Sequence, residues 1–266
     1  MKGAMNYREQ AASPDLAHIV LSFWEFTVSS GDANESRDHE IFPDGCVSLV
    51  YYKNGGNADS WLGVSGARLD SLRVKVFAGD VFWGARLSAP ACRPVLNCDP
   101  SALQNRILPL SEFLPETTDE LLQNMRASNN FAEALKAYES FLRSLEVKRG
   151  DVDGEVAVAC ELIEKSKGQA KIAETAAAVG LSVRQLERRF RRVTGFTPKQ
   201  FARLRRLRAT AVTLADDKET GWATRAAEMG FADQAHLTRE FVRLTGRSPV
   251  AFAENVAKIE HGDLIK

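Results

Sequence analysis

Short apolar runs separated by turn residues fill the region between about residues 16 and 87. Strand-forming residues concentrate at 19–21, 47–51, 72–77 and 81–83, and turn signals such as Pro43-Asp44-Gly45 and Asn54-Gly55-Gly56 interrupt them. Runs of this length between clusters of Gly, Asn and Pro are typical of strands joined by tight turns. The pattern predicts a β-rich sandwich or small barrel, with a cupin-like barrel as one form of it.

After Ser88 the apolar spacing becomes helical. Phe131, Leu135, Tyr138 and Leu142 recur at intervals of three and four residues, so one helix presents an apolar stripe to a partner. That partner is either the barrel or the same helix in a second subunit, which leaves a homodimer open. The polar, glycine-containing segment 149–154 is predicted as a linker. The fold class is therefore α+β, with a domain at 1–148 and an all-helical domain at 155–266.

A repeat of about 50 residues organises the helical half. The stretch FRRVTGFTPKQF beginning at Phe190 returns as FVRLTGRSPVAF beginning at Phe241. Upstream of the first copy, Ser182 with Gln185 three residues later predicts a capping box, and Asp233 takes the capping position in the second copy. Each copy therefore has the layout of a helix-turn-helix.

The second helix of the first copy divides into an apolar and a cationic side. At 100° per residue, Leu186, Phe190 and Val193 share one side, and Arg184 and Arg188 lie on the other. The 184–208 segment holds ten basic residues against one acidic residue, although the net charge of the whole chain is zero. Residues before 150 carry −4 and those from 150 onward carry +4. A basic block of this kind faces either solvent or a polyanion, and the repeated helix-turn-helix favours double-stranded DNA.

A helix of this shape fits the major groove, where side chains read base edges. The candidates for base reading are the outward residues of the two second helices: Arg184, Gln185, Glu187, Arg188, Gln234, His236, Thr238 and Arg239. The candidates for phosphate contact, which would set affinity and salt dependence, are Arg191, Arg192, Arg203, Arg205 and Arg206. A continuous helix from Pro198 to Ala215 is expected to hold the two units apart as a spacer.

The stretch GFADQAHLTREF from Gly230, followed by Thr245-Gly246-Arg247-Ser248-Pro249, resembles the signature of AraC-type transcriptional regulators. The resemblance covers residues 155–253 and implies two helix-turn-helix units joined by a long helix. A weaker resemblance, carried by residues 39–50, 61–64 and 82–87, links the N-terminal part to the sensor domains that precede such units. It implies a β-barrel that binds an effector or partner, followed by dimerising helices.

Aromatic residues in the β-rich part are candidates for an effector pocket. This set consists of Trp24, Asp44, Tyr51, Trp61 and Trp83, with Asp44 included because of the resemblance. The sequence favours the other interpretation, in which the aromatic residues form the barrel core, as they do in most small barrels, and Pro43-Asp44-Gly45 is a tight turn.

Composition excludes several classes of protein. The chain has 266 residues, 44% hydrophobic and 26% charged, which is the profile of a globular protein of two modest domains. No apolar run approaches the ~20 residues of a membrane helix, and the N-terminus lacks a secretory signal, so a cytoplasmic location without membrane contact is expected. Neither the four cysteines nor the four histidines have zinc-site spacing, so we expect reduced thiols, no metal and no cofactor.

Three functions fit these observations. The first is an effector-responsive transcription regulator that is not an enzyme. The second is a DNA-binding module fused to a repair-type enzyme, which would need a reactive or zinc-bound cysteine cluster that the sequence does not show. The third is a constitutive DNA-binding protein whose N-terminal domain only dimerises or contacts RNA polymerase. The sequence favours the first, the effector-responsive transcription regulator.

Overall fold

The structure is a computed structural model that describes residues 5–29, 36–56, 59–216, 220–256 and 259–261. Its strands are β1 (Met5–Ala11), β2 (Val20–Val28), β3 (Ser36–Ile41), β4 (Ser48–Lys53), β5 (Ser60–Ser65), β6 (Leu72–Phe77), β7 (Val81–Leu87), β8 (Ile107–Pro109) and β9 (Ile259–His261). Its α-helices are α1 (Cys92–Leu96), α2 (Pro115–Ala127), α3 (Phe131–Ser144), α4 (Gly154–Lys165), α5 (Ile172–Ala178), α6 (Val183–Thr194), α7 (Pro198–Asp216), α8 (Trp222–Glu228), α9 (Gln234–Thr245) and α10 (Pro249–Val256). The predicted α+β fold, with a β-rich N-terminal part and a helical C-terminal part, is confirmed.

The β-rich part consists of one large sheet and one small ribbon. Seven strands pair in the order β8-β5-β4-β7-β2-β1-β9, and β3 pairs separately with β6. All pairs are antiparallel except β1 with β9, where Met5 lies beside Ile259. The β9 strand departs from the expected all-helical C-terminal part, because residues 259–261 return to the edge of the N-terminal sheet.

Both faces of the large sheet are covered. On one face the Tyr138 hydroxyl of α3 donates to the Trp83 carbonyl at 2.9 Å, and Phe131 and Leu142 are buried in the same core. This places the apolar stripe of α3 on the sheet of its own chain. On the opposite face the β3-β6 ribbon stacks His39 on Phe26 at 4.1 Å between ring centroids. Because both faces are largely covered, strands such as β4 and β7 carry apolar residues at successive positions.

The helical part is built around α7, the predicted spacer. Helix α7 packs against α4, α6 and α10. The rings of Phe190 in α6 and Phe201 in α7 pack with their centroids 5.5 Å apart, and the rings of Phe241 in α9 and Phe252 in α10 pack at the same centroid distance. The first aromatic pair joins α6 to the spacer, and the second joins α9 to α10, which itself packs on the spacer.

Candidate nucleic-acid interface and ligand cavity

The first helix-turn-helix consists of α5, a turn at Gly180 and α6. The Ser182 hydroxyl accepts from the Gln185 amide at 3.3 Å, and the Gln185 side chain accepts from the Ser182 amide at 2.9 Å. This reciprocal pair is the predicted capping box. Gly180 at φ +69° and Gly195 at φ +78° adopt the left-handed conformation at the ends of α5 and α6, where a side chain would be strained.

The second helix-turn-helix, α8 to α9, repeats this design. The Asp233 carboxylate accepts from the His236 amide at 2.6 Å and caps α9. Gly230 and Gly246, both at φ +69°, end α8 and α9. The inner residues Leu237 and Phe241 are fully buried. Two helix-turn-helix units with matching caps and stops are therefore present, as the repeat predicted.

The outward faces of α6 and α9 are open to solvent. Arg184, Glu187 and Arg188 are exposed on α6, and Gln234 and Arg239 are exposed on α9. Within the described residues none of these side chains forms a salt bridge, so each remains available to a ligand.

The other three base-reading candidates are either hydrogen-bonded within the protein or only half-exposed. The side-chain oxygen of Gln185, Oε1, accepts hydrogen bonds from Ser182 in the cap of α6. Only the side-chain NH2 group of Gln185 is therefore left to reach outward. His236 is half-buried, its Nδ1 accepts from the Ala232 amide at 3.2 Å, and its ring lies edge-on to Phe231. Thr238 is half-exposed. Gln185 and His236 therefore stabilise their own helix starts, whatever contact they make with DNA.

Of the five predicted phosphate contacts, Arg191 and Arg192 are exposed on α6. Arg203 is half-buried, and its Nε donates to Glu240 at 2.6 Å. The prediction for Arg205 is wrong in this conformation, because its side chain is 7% exposed and its Nη2 donates to Glu164 at 2.7 Å and to Cys46 Sγ at 2.8 Å.

The phosphate contact predicted for Arg206 stays a prediction, but in this structure its half-buried guanidinium joins two parts of the helical domain. It donates to the carbonyl oxygens of Gly168 at 2.8 Å and Gly230 at 3.2 Å, and it lies 5.5 Å from the centre of the Phe231 ring. Arg206 therefore links the turn before α5 to the second helix-turn-helix and has little freedom to reach a phosphate.

The N-terminal domain contacts the C-terminal end of both recognition helices, α6 and α9. The Gln104 side chain donates to the Gly195 carbonyl at 2.6 Å. The Ser71 amide donates to the Leu244 carbonyl at 3.0 Å, and its hydroxyl donates to the Thr245 carbonyl at 3.1 Å. Since the last carbonyls of a helix have no partner within it, these contacts satisfy groups that would otherwise need water.

A cavity of about 520 Å³ lies between the large sheet, the β3-β6 ribbon and the helical domain. Its sheet wall includes Trp24, Val50 and Trp61, and its far wall includes Arg208 of α7 and Phe252 of α10. The helical domain thus forms part of the cavity. Since Phe252 also packs on Phe241, the cavity is one side chain away from the recognition helix α9.

Glycines hold the two indoles flat on the sheet. A Cβ at Gly84 would lie 2.1 Å from Trp24 Cε2, and a Cβ at Gly63 would lie 2.0 Å from Trp61 Cη2. No side chain larger than hydrogen fits at either position. Val50 is the register partner of both glycines, so the two indoles flank it on the cavity floor.

The candidate pocket residues divide between the two faces of the sheet. Trp24, Asp44 and Trp61 line the cavity. Tyr51 and Trp83 do not line the cavity: they are 1% and 4% exposed and stack with ring centroids 5.5 Å apart on the opposite face, against α3, as the core interpretation expects. Tyr51 and Trp83 are core residues, because side chains alternate between faces along a strand.

A buried polar cluster at the cavity wall joins the two domains. The Glu9 carboxylate accepts from Arg86 at 2.7 Å, from Arg208 at 2.8 and 2.9 Å, and from the Tyr7 hydroxyl at 2.5 Å. Arg86 also donates to Asp44 at 2.6 Å. The sequence analysis missed Glu9, Arg86 and Arg208, and the single signal that could have found Glu9 is an acidic residue within a β-strand pattern.

Burial and neighbouring charges act in opposite directions on the pKa values of Glu9 and Tyr7 in this cluster. Burial raises the pKa of the Glu9 carboxyl, but Arg86 and Arg208 outweigh it and lower that pKa to about 2. Burial raises the pKa of the Tyr7 hydroxyl to about 12. Both groups therefore keep one protonation state across the physiological range, with Glu9 charged and Tyr7 neutral.

Two further groups near the cavity titrate outside their usual range because of burial. Burial lowers the pKa of His39 to about 4, so its ring is neutral at pH 7. Burial raises the pKa of the Cys46 thiol to about 12, which keeps it protonated beside Arg205. Among the residues that the structure describes, no group of three or more His, Cys, Asp or Glu side chains could hold a metal ion. In the same residues, no helix has the length and apolar character of a membrane span.

Comparisons with known proteins agree with this architecture. Residues 175–255 match the family model of a helix-turn-helix domain, and residues 8–109 match that of a domain of unknown function (DUF6597). No curated protein matches the chain.

Among solved structures, the chain is similar to ToxT from Vibrio cholerae. A 1.65 Å structure of ToxT is 9% identical with a TM-score of 0.43, and the match covers 96% of this chain and 99% of that one. A structure of unsaturated fatty acid-bound ToxT is 10% identical with a TM-score of 0.41, and the match covers 98% of this chain and 97% of that one. ToxT bound to (E)-4-(8-methylnaphthalen-1-yl)but-3-enoic acid is 10% identical with a TM-score of 0.44, and the match covers 96% of this chain and all of that one.

The fold and the two solvent-facing recognition helices define a DNA-binding transcription regulator with a double helix-turn-helix. The match of residues 175–255 to a helix-turn-helix family model agrees with the AraC-type resemblance found in the sequence, and the model that matches residues 8–109 has no known function.

Proposed function

We propose that the protein is a sequence-specific, effector-responsive regulator whose helices α6 and α9 enter two successive major grooves. The observation that carries this proposal is the polarity of the two helices. Each buries an apolar side completely, at Leu186 and Phe190 or at Leu237 and Phe241, and opens its other side to solvent. Successive major grooves on one face of DNA lie about 34 Å apart, so the duplex bends or the units tilt to meet it.

In this proposal the exposed side chains of α6 read bases. Arg184 and Arg188 are suited to guanine O6 and N7, Glu187 accepts from cytosine N4, and the free amide group of Gln185 faces the same groove. Arg191 and Arg192, near the end of α6, contact phosphate.

Helix α9 reads the second groove in the same way. Gln234 is suited to adenine and Arg239 to guanine, and the Thr238 methyl group is suited to the methyl group of thymine. His236 faces this groove with its outer edge. A homodimer, a contact with RNA polymerase and a cytoplasmic location remain predictions of this function.

Regulation by a small molecule is supported by the cavity. Its volume of about 520 Å³ falls within the range of roughly 300–1,000 Å³ that ligand pockets occupy. Because α7 and α10 form part of its wall, an occupant touches the helical domain directly. The protein therefore acts by binding DNA and effector rather than by catalysis.

Replacement of Arg188 tests the DNA-binding proposal. Operator DNA is first selected from a random library with the full chain, and binding is then measured on operator and on random duplex. Arg188→Ala is expected to weaken operator binding by about 1–3 kcal/mol and to change random-duplex binding little, since one bidentate base contact is lost. Arg149→Ala is the control, because Arg149 is exposed at the predicted linker.

An equal loss on operator and random DNA would assign Arg188 to phosphate and remove it from the base-reading set. Failure of the library to yield any preferred sequence would refute sequence-specific binding as a whole. The effector proposal is tested separately, because a ligand of the native state raises the melting temperature. A constitutive protein would show no compound that both raises the melting temperature and changes operator affinity.

A further inference from the structure

Each charged side chain that lines the cavity and is shielded from solvent has an oppositely charged neighbour within the protein. Asp44 pairs with Arg86 at 2.6 Å, and Arg208 pairs with Glu9 at 2.8 Å. A charged ligand would find no uncompensated charge at these two positions.

The same holds at the other charged positions of the wall. Glu40 pairs with Arg247 at 2.7 Å, and Arg68 pairs with Asp70 at 3.3 Å. The two charged residues left, Asp38 and Lys75, are register partners on the β3-β6 ribbon, and both are exposed to solvent rather than buried in the cavity. The buried part of the cavity therefore offers a charged group no partner in exchange for its lost hydration, and that exchange is unfavourable in an apolar site.

Flat aromatic surfaces form much of the rest of the cavity, beside aliphatic side chains such as Val74 and Val76. The indoles of Trp24 and Trp61 lie on the glycines of the sheet, and Tyr52 stacks on Phe82 at 4.7 Å with 27° between the ring planes. Phe82 in turn contacts Phe26 at 5.8 Å. Rings held in this way present π faces that favour another planar ring in offset or edge contact.

We propose that the cavity binds a neutral, planar, aromatic molecule, because its solvent-shielded charges are internally paired and two indole faces lie on its floor. This inference rests on the proposed effector site and names the chemical class of its occupant. A carboxylate of the same shape is excluded by the cost of burying its charge, and a saturated ring system loses contact with the flat floor. The occupant contacts α7 and α10 as well as the sheet. Since Phe252 of α10 packs on Phe241 of α9, the occupant lies one side chain from the second helix-turn-helix.

Three probes of matched size test the class of ligand on the full chain without DNA. They are methyl 2-naphthoate, its free carboxylate 2-naphthoate, and the fully saturated ring analogue of the ester. Binding is followed by the quenching of tryptophan fluorescence and by calorimetry. The neutral aromatic ester is expected to bind at least tenfold more tightly than the carboxylate, and several times more tightly than the saturated ester.

A variant that fills the cavity locates the site. Val50→Trp places a large ring between the Trp24 and Trp61 indoles and is expected to weaken binding of the ester at least tenfold. Val158→Trp is the matched control, because Val158 is 45% exposed on α4, outside the cavity, and its replacement is expected to leave binding unchanged.

Three results would overturn the proposal. They are equal or tighter binding of the carboxylate, the absence of saturable binding for all three probes, and full binding by a correctly folded Val50→Trp. The comparison among the three probes needs no variant, so it stands even if Val50→Trp does not fold. Because DNA is absent throughout, a negative result leaves the DNA-binding proposal intact, and a failure to bind operator leaves this one intact.

Discussion

Removal of the Glu9 charge should weaken the junction between the two domains. The Glu9 side chain is fully buried, and it holds Arg208 of α7 against the N-terminal sheet. Its pKa falls from an ordinary value of 4.5 to about 2, and at about 1.4 kcal/mol per pKa unit this corresponds to roughly 3 kcal/mol. Loss of one partner of a buried ion pair costs about 3–5 kcal/mol, which is of the same order. Glu9→Gln is therefore expected to lower the free energy of unfolding by about 3 kcal/mol.

A double-mutant cycle isolates the part of this energy that belongs to the pair. Urea unfolding of wild type, Glu9→Gln, Arg208→Gln and the double variant is followed by tryptophan fluorescence. Because Arg86 also stabilises the carboxylate, the coupling of Glu9 to Arg208 alone is expected to be about 1–2 kcal/mol. The exposed pair Arg143–Asp15, whose side chains are 46% and 55% exposed, is the control and should show far weaker coupling, because solvent screens it.

The pH dependence of the same variants gives a second measurement. A carboxyl whose pKa is lowered by folding contributes stability above its unfolded pKa of 4.5, and that contribution is lost as pH falls towards 2. Glu9→Gln should flatten this part of the acid-unfolding curve. A coupling energy below about 0.5 kcal/mol, together with an unchanged acid limb, would show that the junction does not depend on this pair.

Three other expectations follow from buried groups. Since folding lowers the pKa of His39 from 6.5 to about 4, unfolding stability should fall by about 2 kcal/mol between pH 6.5 and pH 5, and His39→Phe should abolish this loss. Gly84→Ala should destabilise by about 1–3 kcal/mol and shift the emission of Trp24, whereas Gly150→Ala, with no atom within 4 Å of its Cβ, should do neither. Arg205→Ala should lower stability by about 3–5 kcal/mol and leave the salt slope of DNA binding unchanged, and a slope reduced by one unit would restore its assignment to phosphate.

The helix-turn-helix units could be predicted because their signals are local. A cap such as Ser182 or Asp233 acts within three residues, and a stop such as Gly195 or Gly246 is required by its own backbone conformation. The apolar spacing of the recognition helices then fixes which side is buried. None of these inferences depends on a distant part of the chain, so the caps, the stops and the buried sides of the helices could all be predicted from local sequence.

The arginines of α7 could not be assigned from local spacing. Periodicity gives the direction of a side chain around its helix but not what lies there. Arg205 is buried because Glu164 and Cys46, which are 41 and 159 residues away, supply its partners. Arg206 is held by the carbonyl of Gly168, 38 residues away. A buried arginine requires partners of this kind, and only the tertiary structure shows them.

The faces of the sheet posed a different difficulty. When one face meets water, polar residues mark it, but here helices cover one face and the ribbon covers the other. Tyr51 and Tyr52 are therefore both aromatic although they point in opposite directions, and only Tyr52 reaches the cavity. The alternation of side chains along a strand predicts that neighbouring residues point to opposite faces of the sheet. Without a polar face, it does not show which of the two residues belongs to the core.

The two helix-turn-helix units differ in their relation to the cavity. The first is tied to the N-terminal domain by Gln104, which lies outside the cavity wall. The second is followed by Arg247, which pairs with Glu40 of that wall, and by α10, whose Phe252 forms part of it. An occupant of the proposed effector site is therefore expected to change the docking of the second unit more than that of the first. Coupling between two binding sites is reciprocal. Operator DNA that draws α9 and α10 away from the N-terminal domain would consequently weaken ligand binding by the same factor by which the ligand weakens binding to the operator.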